Sequence, residues 1–213
     1  MRIVKPEVAL LYPVLHEEAQ RDIELIEMAA RTCYNSEDRI EPGSYDGMIR
    51  RLIKAGHTAP LEFGHAVFRI TCSRAVMAEL TRHRHASFCV QSQRYVRNDK
   101  YGDIVFIMPD GLDDEAKEEW HAAMMWAEGT YKGLIDGGKS PQDARTVLPN
   151  SCATTLVVGA NLREWRHIVS LRASKRAYPE MQEVARMILD QLRIYYDCVF
   201  DDLAEGDGNA EPS

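Results

Sequence analysis

The chain has 213 residues, an apolar fraction of 45% and a formal net charge of -7, which suits one domain with a sizeable core. No run of about 18 or more uncharged apolar residues occurs, and the N-terminus lacks a signal-peptide pattern, so the sequence predicts no membrane association. The five cysteines are scattered without a CxxC pair, which argues against a disulfide framework or a zinc site and predicts a cytoplasmic protein with no metal.

Hydrophobic periodicity predicts strands and helices that follow one another along the chain. The first half contains an edge strand at 2–12, where Pro6 limits pairing, helices at 17–34, 44–55 and 74–83, a loop at 57–64 and a strand at 65–73. Ser44 is predicted to cap the second helix and Gly56 to end it.

The second half continues the same mixture of elements. It contains strands at 104–108 and 152–160 and helices at 112–135, 161–174 and 179–203. The predicted fold is therefore α+β, a single domain over 1–204 with a small sheet flanked by long amphipathic helices. Residues 205–213 are predicted to be a disordered tail.

One motif resembles a phosphate-binding loop. Residues 133–140, GLIDGGKS, fit the pattern GxxxxGK[ST], which requires a strand before the loop and a helix after it. Here an amphipathic helix precedes the loop, and Ser140-Pro141 suits the start of another helix. We therefore interpret this segment as a helix–helix turn, with a P-loop NTPase as the alternative.

Positive charge is concentrated in two islands. Residues 82–100 carry five basic side chains against one acid, and residues 163–176 carry five against one. Two cationic islands in an acidic chain predict discrete anion sites, because a nucleic-acid surface more often makes a whole domain basic. A polynucleotide-binding module remains the alternative, and it would bind with a steep salt dependence.

The first island contains RHRHASFCVQSQRY at 82–95. Ser92 and Arg94 are predicted on one side of an extended segment, where a hydroxyl and a guanidinium can hold a phosphate. Ser92 could instead be a nucleophile if His83 or His85 served as its base. Cys89 is interpreted as a packing or loop thiol and not as a nucleophile.

The same segment resembles the RHR-x7-S signature of the flavin-dependent thymidylate synthases. Further blocks follow the family's order, namely GHTAPLE at 56–62, ARTVLP at 144–149 and NLREW with LRAS within 161–174. The resemblance implies a homotetramer with active sites at subunit interfaces. It implies conversion of dUMP to dTMP, with methylenetetrahydrofolate as methylene donor, FAD as hydride source and NADPH as the reductant of the flavin.

The resemblance also implies a role for individual residues. Arg172 would activate the uracil ring by stabilising the negative charge that develops on it. The implied dUMP contacts are Glu79, Arg82, Val90, Gln91, Ser92, Gln93, Arg94, Arg145 and Arg172, with Ser92 and Arg94 on the phosphate. The implied FAD contacts are His57, Ala59, Arg82, His83, Arg84, Val90, Asn161, Leu162, Arg163 and His167.

Three positions depart from the family pattern. Glu79 stands where Gln is common, Cys89 where Asn is frequent and Val90 where Glu often occurs. Glu79 changes the polarity of a hydrogen bond to the pyrimidine, and Val90 can contribute only its backbone. Asn161 is also expected to cap a helix.

Overall fold

The computed structural model describes residues 1–95 and 102–203. Its strands are β1 (Arg2–Val4), β2 (Glu7–Tyr12), β3 (His65–Ser73), β4 (Ser87–Val90), β5 (Val105–Ile107) and β6 (Ala153–Asn161). Its α-helices are α1 (His16–Thr32), α2 (Ser44–Lys54), α3 (Arg74–Leu80), α4 (Asp114–Asp136), α5 (Pro141–Ala144), α6 (Leu162–Arg172), α7 (Pro179–Tyr195) and α8 (Asp197–Phe200). The short 3-10 helices are Glu37–Arg39, Ala59–Phe63, Arg145–Val147 and Asp201–Leu203.

The strands form two small sheets, which confirms the predicted α+β class. β1 and β5 pair in parallel, with Arg2 opposite Val105, and the other sheet has the order β2-β3-β6-β4. Pro6 divides the predicted strand 2–12 into β1 and β2, because proline has no N–H for the ladder. β2 lies at a sheet edge, as predicted.

Contacts divide the described residues into two compact units. The first unit contains residues 1–7, 70–82 and 89–156, and the second contains residues 8–69, 83–88 and those from 157 onward. The chain passes from one unit to the other within the strands β2, β3, β4 and β6 and between residues 82 and 83. Within the described residues, every helix is too short or too polar to span a bilayer.

The first unit has an apolar core with a buried carboxylate at its side. Phe106, Tyr131 and Cys152 belong to this core. Glu128, on the buried side of α4, accepts a bond from the Ile104 N–H at 3.0 Å. Its oxygens also lie 2.7 Å from the Met1 amino group and 2.8 Å from Lys132 Nζ. These partners offset the cost of burying the charge.

The second unit is built around Trp165 of α6. Its ring packs edge-on against Phe68 at 4.9 Å between centroids, and its Nε1–H donates to the Ala66 carbonyl at 2.9 Å. Gly64 ends the loop before β3 and lies so close to α6 that an added Cβ would be 2.8 Å from a Leu162 methyl carbon. The absence of a side chain at Gly64 therefore lets this loop pack against the start of α6.

Three details of the predicted elements were wrong. The helix predicted over 179–203 ends at Tyr195, because buried Tyr196 leaves helical geometry and donates its hydroxyl to Asp22 at 2.7 Å. The α2 cap is Gly43, at φ 81, since Ser44 donates its hydroxyl to Glu27 at 2.6 Å instead. The strand β4 was not predicted at all. Gly56 does end α2, with φ 76.

The helix–helix turn at 133–140 is confirmed. The N–H groups of Gly138 and Lys139 donate to the carbonyls of Ile135 and Leu134, both at 2.9 Å. Ser140 caps α5 by accepting from the Asp143 N–H at 3.3 Å. These N–H groups therefore make the capping hydrogen bonds at the end of α4 and the start of α5, and they do not converge on a phosphate site.

Candidate functional site

The central side chain of the RHR motif is buried, whereas its neighbours are exposed. α3 ends at Leu80, and a turn closed by the Ala86 N–H and the His83 carbonyl follows. Only 6% of His83 is accessible, while Arg82 and Arg84 are exposed. His83 can therefore organise the interior of the site, and the two arginines can meet an anion.

Three side chains of α6 surround the His83 ring. Arg172 donates its Nε–H to His83 Nε2 at 3.1 Å, and Glu164 Oε1 lies 3.4 Å from His83 Nδ1. The His167 ring lies 5.6 Å away, edge to face. Sequence analysis missed Glu164, although a charged residue beside Trp165 on the buried face of a helix was a usable signal.

The environment of His83 keeps its ring neutral. Burial, the positive charge of Arg172 and the proximity of His167 together lower the pKa of His83 from 6.5 to about 4. A neutral ring can accept the Arg172 Nε–H through its unprotonated Nε2. The hydrogen bond and the lowered pKa therefore support the same protonation state.

α6 begins with the predicted cap. The Asn161 side chain accepts from the Glu164 N–H at 2.8 Å, which confirms the capping role of Asn161. Arg163 and His167 are both exposed and stand one turn apart, so they share one face of the helix. Leu162 is fully buried, so its side chain packs in the core and only its backbone could meet a ligand.

A cavity of about 390 Å³ adjoins the start of α6. It brings together three predicted flavin residues, His57, Ala59 and Arg163. The other lining residues are Ala30, Cys33, Tyr34, Leu52, Gly56, Thr58 and Pro60. Arg163 is held by Glu62, with 2.5 Å between its Nη1 and the Glu62 carboxylate. The GHTAPLE and NLREW blocks thus form walls of one cavity.

Sequence reasoning did not find the contribution of α1 to this cavity. Cys33 and Tyr34 lie just after α1, and neither belongs to a motif. Tyr34 is 66% exposed and adds an aromatic wall. Their position at the end of an amphipathic helix gave no local sign that they would face a cavity.

The second half of the 82–95 segment differs from the prediction. β4 ends at Val90, and the Gln91 N–H donates to the Thr155 carbonyl at 2.9 Å. Ser92 accepts from the Arg94 N–H at 3.2 Å, so these residues form a turn and not an extended segment. Arg94 lies over the Tyr95 ring at 5.1 Å. The backbone N–H of Arg94 is therefore already paired with the hydroxyl.

The predicted ligand sets fall mainly in different units. Within the first unit lie Glu79, Arg82, Val90, Gln91, Ser92, Gln93, Arg94 and Arg145. Within the second unit lie Arg172 and all the predicted flavin residues except Arg82 and Val90. Glu79 is half-buried in the last turn of α3, and Arg145 begins the 3-10 helix after α5. Among residues 1–95 and 102–203, no His, Cys, Asp and Glu cluster suits a metal ion.

Comparison with known proteins gives a consistent result. The family described as thymidylate synthase complementing protein matches residues 14–195. A probable flavin-dependent thymidylate synthase of Mycobacterium phage D29 is 39% identical over 184 residues, covering 80% of this chain and 78% of that protein. The flavin-dependent thymidylate synthase of Mycobacterium marinum is 36% identical over 198 residues, covering 84% and 78%.

Solved structures share the fold at lower identity. A UMP/dUMP methylase, PolB, of Streptomyces cacaoi has a TM-score of 0.83 and 22% identity, covering 99% of this chain and all of that chain. Thymidylate Synthase X of Helicobacter pylori has a TM-score of 0.77 and 24% identity, covering 94% of this chain and all of that chain. That structure contains FAD and dUMP.

Proposed function

Because the chain belongs to the thymidylate synthase complementing protein family, we propose that it is an FAD-dependent thymidylate synthase that methylates dUMP to dTMP. The observation that carries the proposal is the ordered set of family blocks, two of which line one cavity. Relatives named flavin-dependent thymidylate synthase match most of the chain.

The residues around the cavity fit a flavin. Its mostly apolar lining suits an aromatic ring, while His57 and Arg163 offer polar groups. Exposed Arg84 and His167, which belong to the same unit as the cavity, are suited to the anionic part of the cofactor, and the family resemblance adds Arg82. We assign FAD to these residues together with the Asn161 segment. The cofactor would supply the hydride that completes the new methyl group.

Arg172 is assigned to the uracil. Its guanidinium would face the N3/O2 edge, where negative charge develops when the ring is activated, and stabilise that charge. Ser92 and Arg94 would bind the phosphate, and Glu79, Arg82 and residues 90–93 would enclose the rest of the nucleotide. Arg145 would come from a neighbouring subunit.

The remaining partners are also proposals. Methylenetetrahydrofolate would donate the methylene, and NADPH would reduce the flavin. A homotetramer is implied by the family resemblance, and Trp126 on α4, which is 78% exposed, offers an apolar surface for a subunit contact. The cytoplasm is supported by the five cysteines, all of which are unpaired.

Purified protein tests this function directly. It should be yellow, and its flavin spectrum should change when dUMP is added. It should convert dUMP to dTMP when methylenetetrahydrofolate and NADPH are present. A colourless protein that binds no added FAD would contradict the proposal. Tight polynucleotide binding that weakens steeply with salt would favour the alternative module.

A further inference from the structure

Glu164, His83 and Arg172 form a continuous chain of contacts within the second unit. Glu164 Oε1 lies 3.4 Å from His83 Nδ1, and the Arg172 Nε–H donates to His83 Nε2 at 3.1 Å. The side chains of Glu164 and His83 are 10% and 4% exposed, so water competes weakly for these contacts. The family resemblance assigns roles to His83 and Arg172, whereas Glu164 stands within the NLREW block without an assigned role.

The donors and acceptors in this chain allow one arrangement. The Arg172 Nε–H can only donate, so His83 Nε2 must be unprotonated to accept it. A neutral imidazole then carries its proton on Nδ1, which faces the Glu164 carboxylate. Glu164 stands in the first turn of α6, where the helix dipole stabilises a negative charge. The opposite tautomer would set two N–H donors against each other.

We propose that Glu164 is a positioning residue that fixes the His83 tautomer and thereby the guanidinium plane of Arg172. The proposal rests on the proposed function, because the fixed plane matters through the contact of Arg172 with uracil. A guanidinium is planar, so anchoring Nε defines the directions of both Nη groups. Arg172 is the last residue of α6, so its side chain extends from the end of the helix.

The effect expected of Glu164 is on turnover and not on ligand binding. An arginine held in place before the reaction stabilises developing charge without reorganising. Mutation of residues that orient metal ligands by hydrogen bonds commonly changes activity or affinity by about 10- to 100-fold, and we expect a similar effect for a residue that orients Arg172. Glu164 lies beside His83 and not in the cavity lining, so its loss should leave FAD retention close to that of the parent protein.

Two substitutions separate this role from simple support of the core. Glu164→Leu removes the acceptor, and we expect kcat to fall by about 10-fold or more, with dUMP affinity nearly unchanged. Glu164→Gln retains an oxygen that can accept from Nδ1–H, and it should recover most of the activity. Glu27→Leu is the matched control, because Glu27 is also a buried carboxylate of the second unit but pairs with Arg31 and Ser44.

Nitrogen-15 NMR of the His83 ring reads the tautomer independently of activity. We expect a proton on Nδ1 in the parent protein and a shift toward the Nε2–H form in Glu164→Leu. The proposal is overturned by an unchanged tautomer in Glu164→Leu, or by turnover that falls equally in Glu27→Leu. A parent protein that makes no dTMP would overturn both the proposed function and this role. Normal parent turnover that is retained in Glu164→Leu would overturn this role alone.

Discussion

At the scale of single residues, His83 links the chemistry of the site to the pH dependence of folding. Its pKa of about 4 in the folded protein lies below the usual 6.5, so folding disfavours the protonated ring. This contribution to stability is complete above pH 6.5 and is lost as the pH falls toward 4. The shift corresponds to about 3 kcal/mol of unfolding free energy.

Replacing His83 tests this linkage. Urea unfolding of the parent protein and of His83→Gln should be compared at pH 7, 5.5 and 4.5. We expect the difference in unfolding free energy between the two proteins to shrink as the pH falls, because only the parent carries the titrating ring. Parallel curves over this range would contradict a lowered pKa.

Ser92 is the second residue whose role can be decided by one substitution. If its hydroxyl binds the dUMP phosphate, Ser92→Ala should weaken dUMP binding by about 10-fold or more, which is the usual loss for a bond to a charged group. Calorimetric titration with dUMP measures this, and Ser87→Ala on β4 controls for hydroxyl removal in the same segment. Complete loss of turnover with unchanged dUMP affinity would favour a nucleophilic Ser92 instead.

At the scale of elements, Asn161 caps α6 and is also proposed to contact FAD. Asn161→Ala should destabilise the protein by about 1 kcal/mol, because the helix loses its cap. Asp is an equally good cap, so Asn161→Asp should keep this stability while it removes the amide donor. If the amide contacts FAD, both variants should lower flavin retention, measured by absorbance after gel filtration, but only Asn161→Asp should do so without loss of stability. Equal retention in Asn161→Asp and the parent would limit Asn161 to capping.

The turn between α4 and α5 offers a separate test at this scale. Gly138 has φ 79, and an added Cβ would meet open space, so Gly138→Ala should cost about 1–2 kcal/mol through backbone strain alone. Thermal unfolding measures this loss.

The same turn also distinguishes the two interpretations of residues 133–140. Lys139→Ala should leave dTMP formation nearly unchanged, whereas a P-loop NTPase would lose its activity.

At the scale of the whole molecule, each of the two units contains a buried polar group with several partners. In the second unit this group is His83, and in the first unit it is Glu128. Burial alone would raise its pKa, but bonds from Lys132, the Met1 amine and the Ile104 N–H lower it overall. The stabilisation from a lowered carboxyl pKa is present above the unfolded value of 4.5 and is lost at lower pH.

Glu128→Gln should therefore reduce stability at neutral pH and flatten its acid dependence. We expect a loss of about 1–3 kcal/mol at pH 7, since the Lys132 and Met1 ammonium groups, which also pair with Asp103, lose one of their counter-charges. Chemical unfolding at pH 7 and pH 4 measures both effects. A smaller loss at pH 7 than at pH 4 would show that the carboxylate does not stabilise the fold.

Much of the fold could be predicted from the sequence because its causes are local. The alternation of β3, the apolar stripe of α4 and the caps at Asn161 and Ser140 depend on residues a few positions apart. The break at Tyr196 could not be predicted in this way. It depends on Asp22, 174 residues away in sequence, which accepts the tyrosine hydroxyl.

The sequence by itself determined the order of the main helices and strands other than β4, the family blocks and the two clusters of cationic residues. It could do so because spacing along one segment decides which side chains share a helix face or a turn. Only the tertiary structure decided that Glu164 meets His83, that Arg172 reaches the same ring across 89 positions, and that the end of α1 lines a cavity with Arg163. Such contacts depend on how distant segments pack. No local pattern encodes which buried acid will face which imidazole.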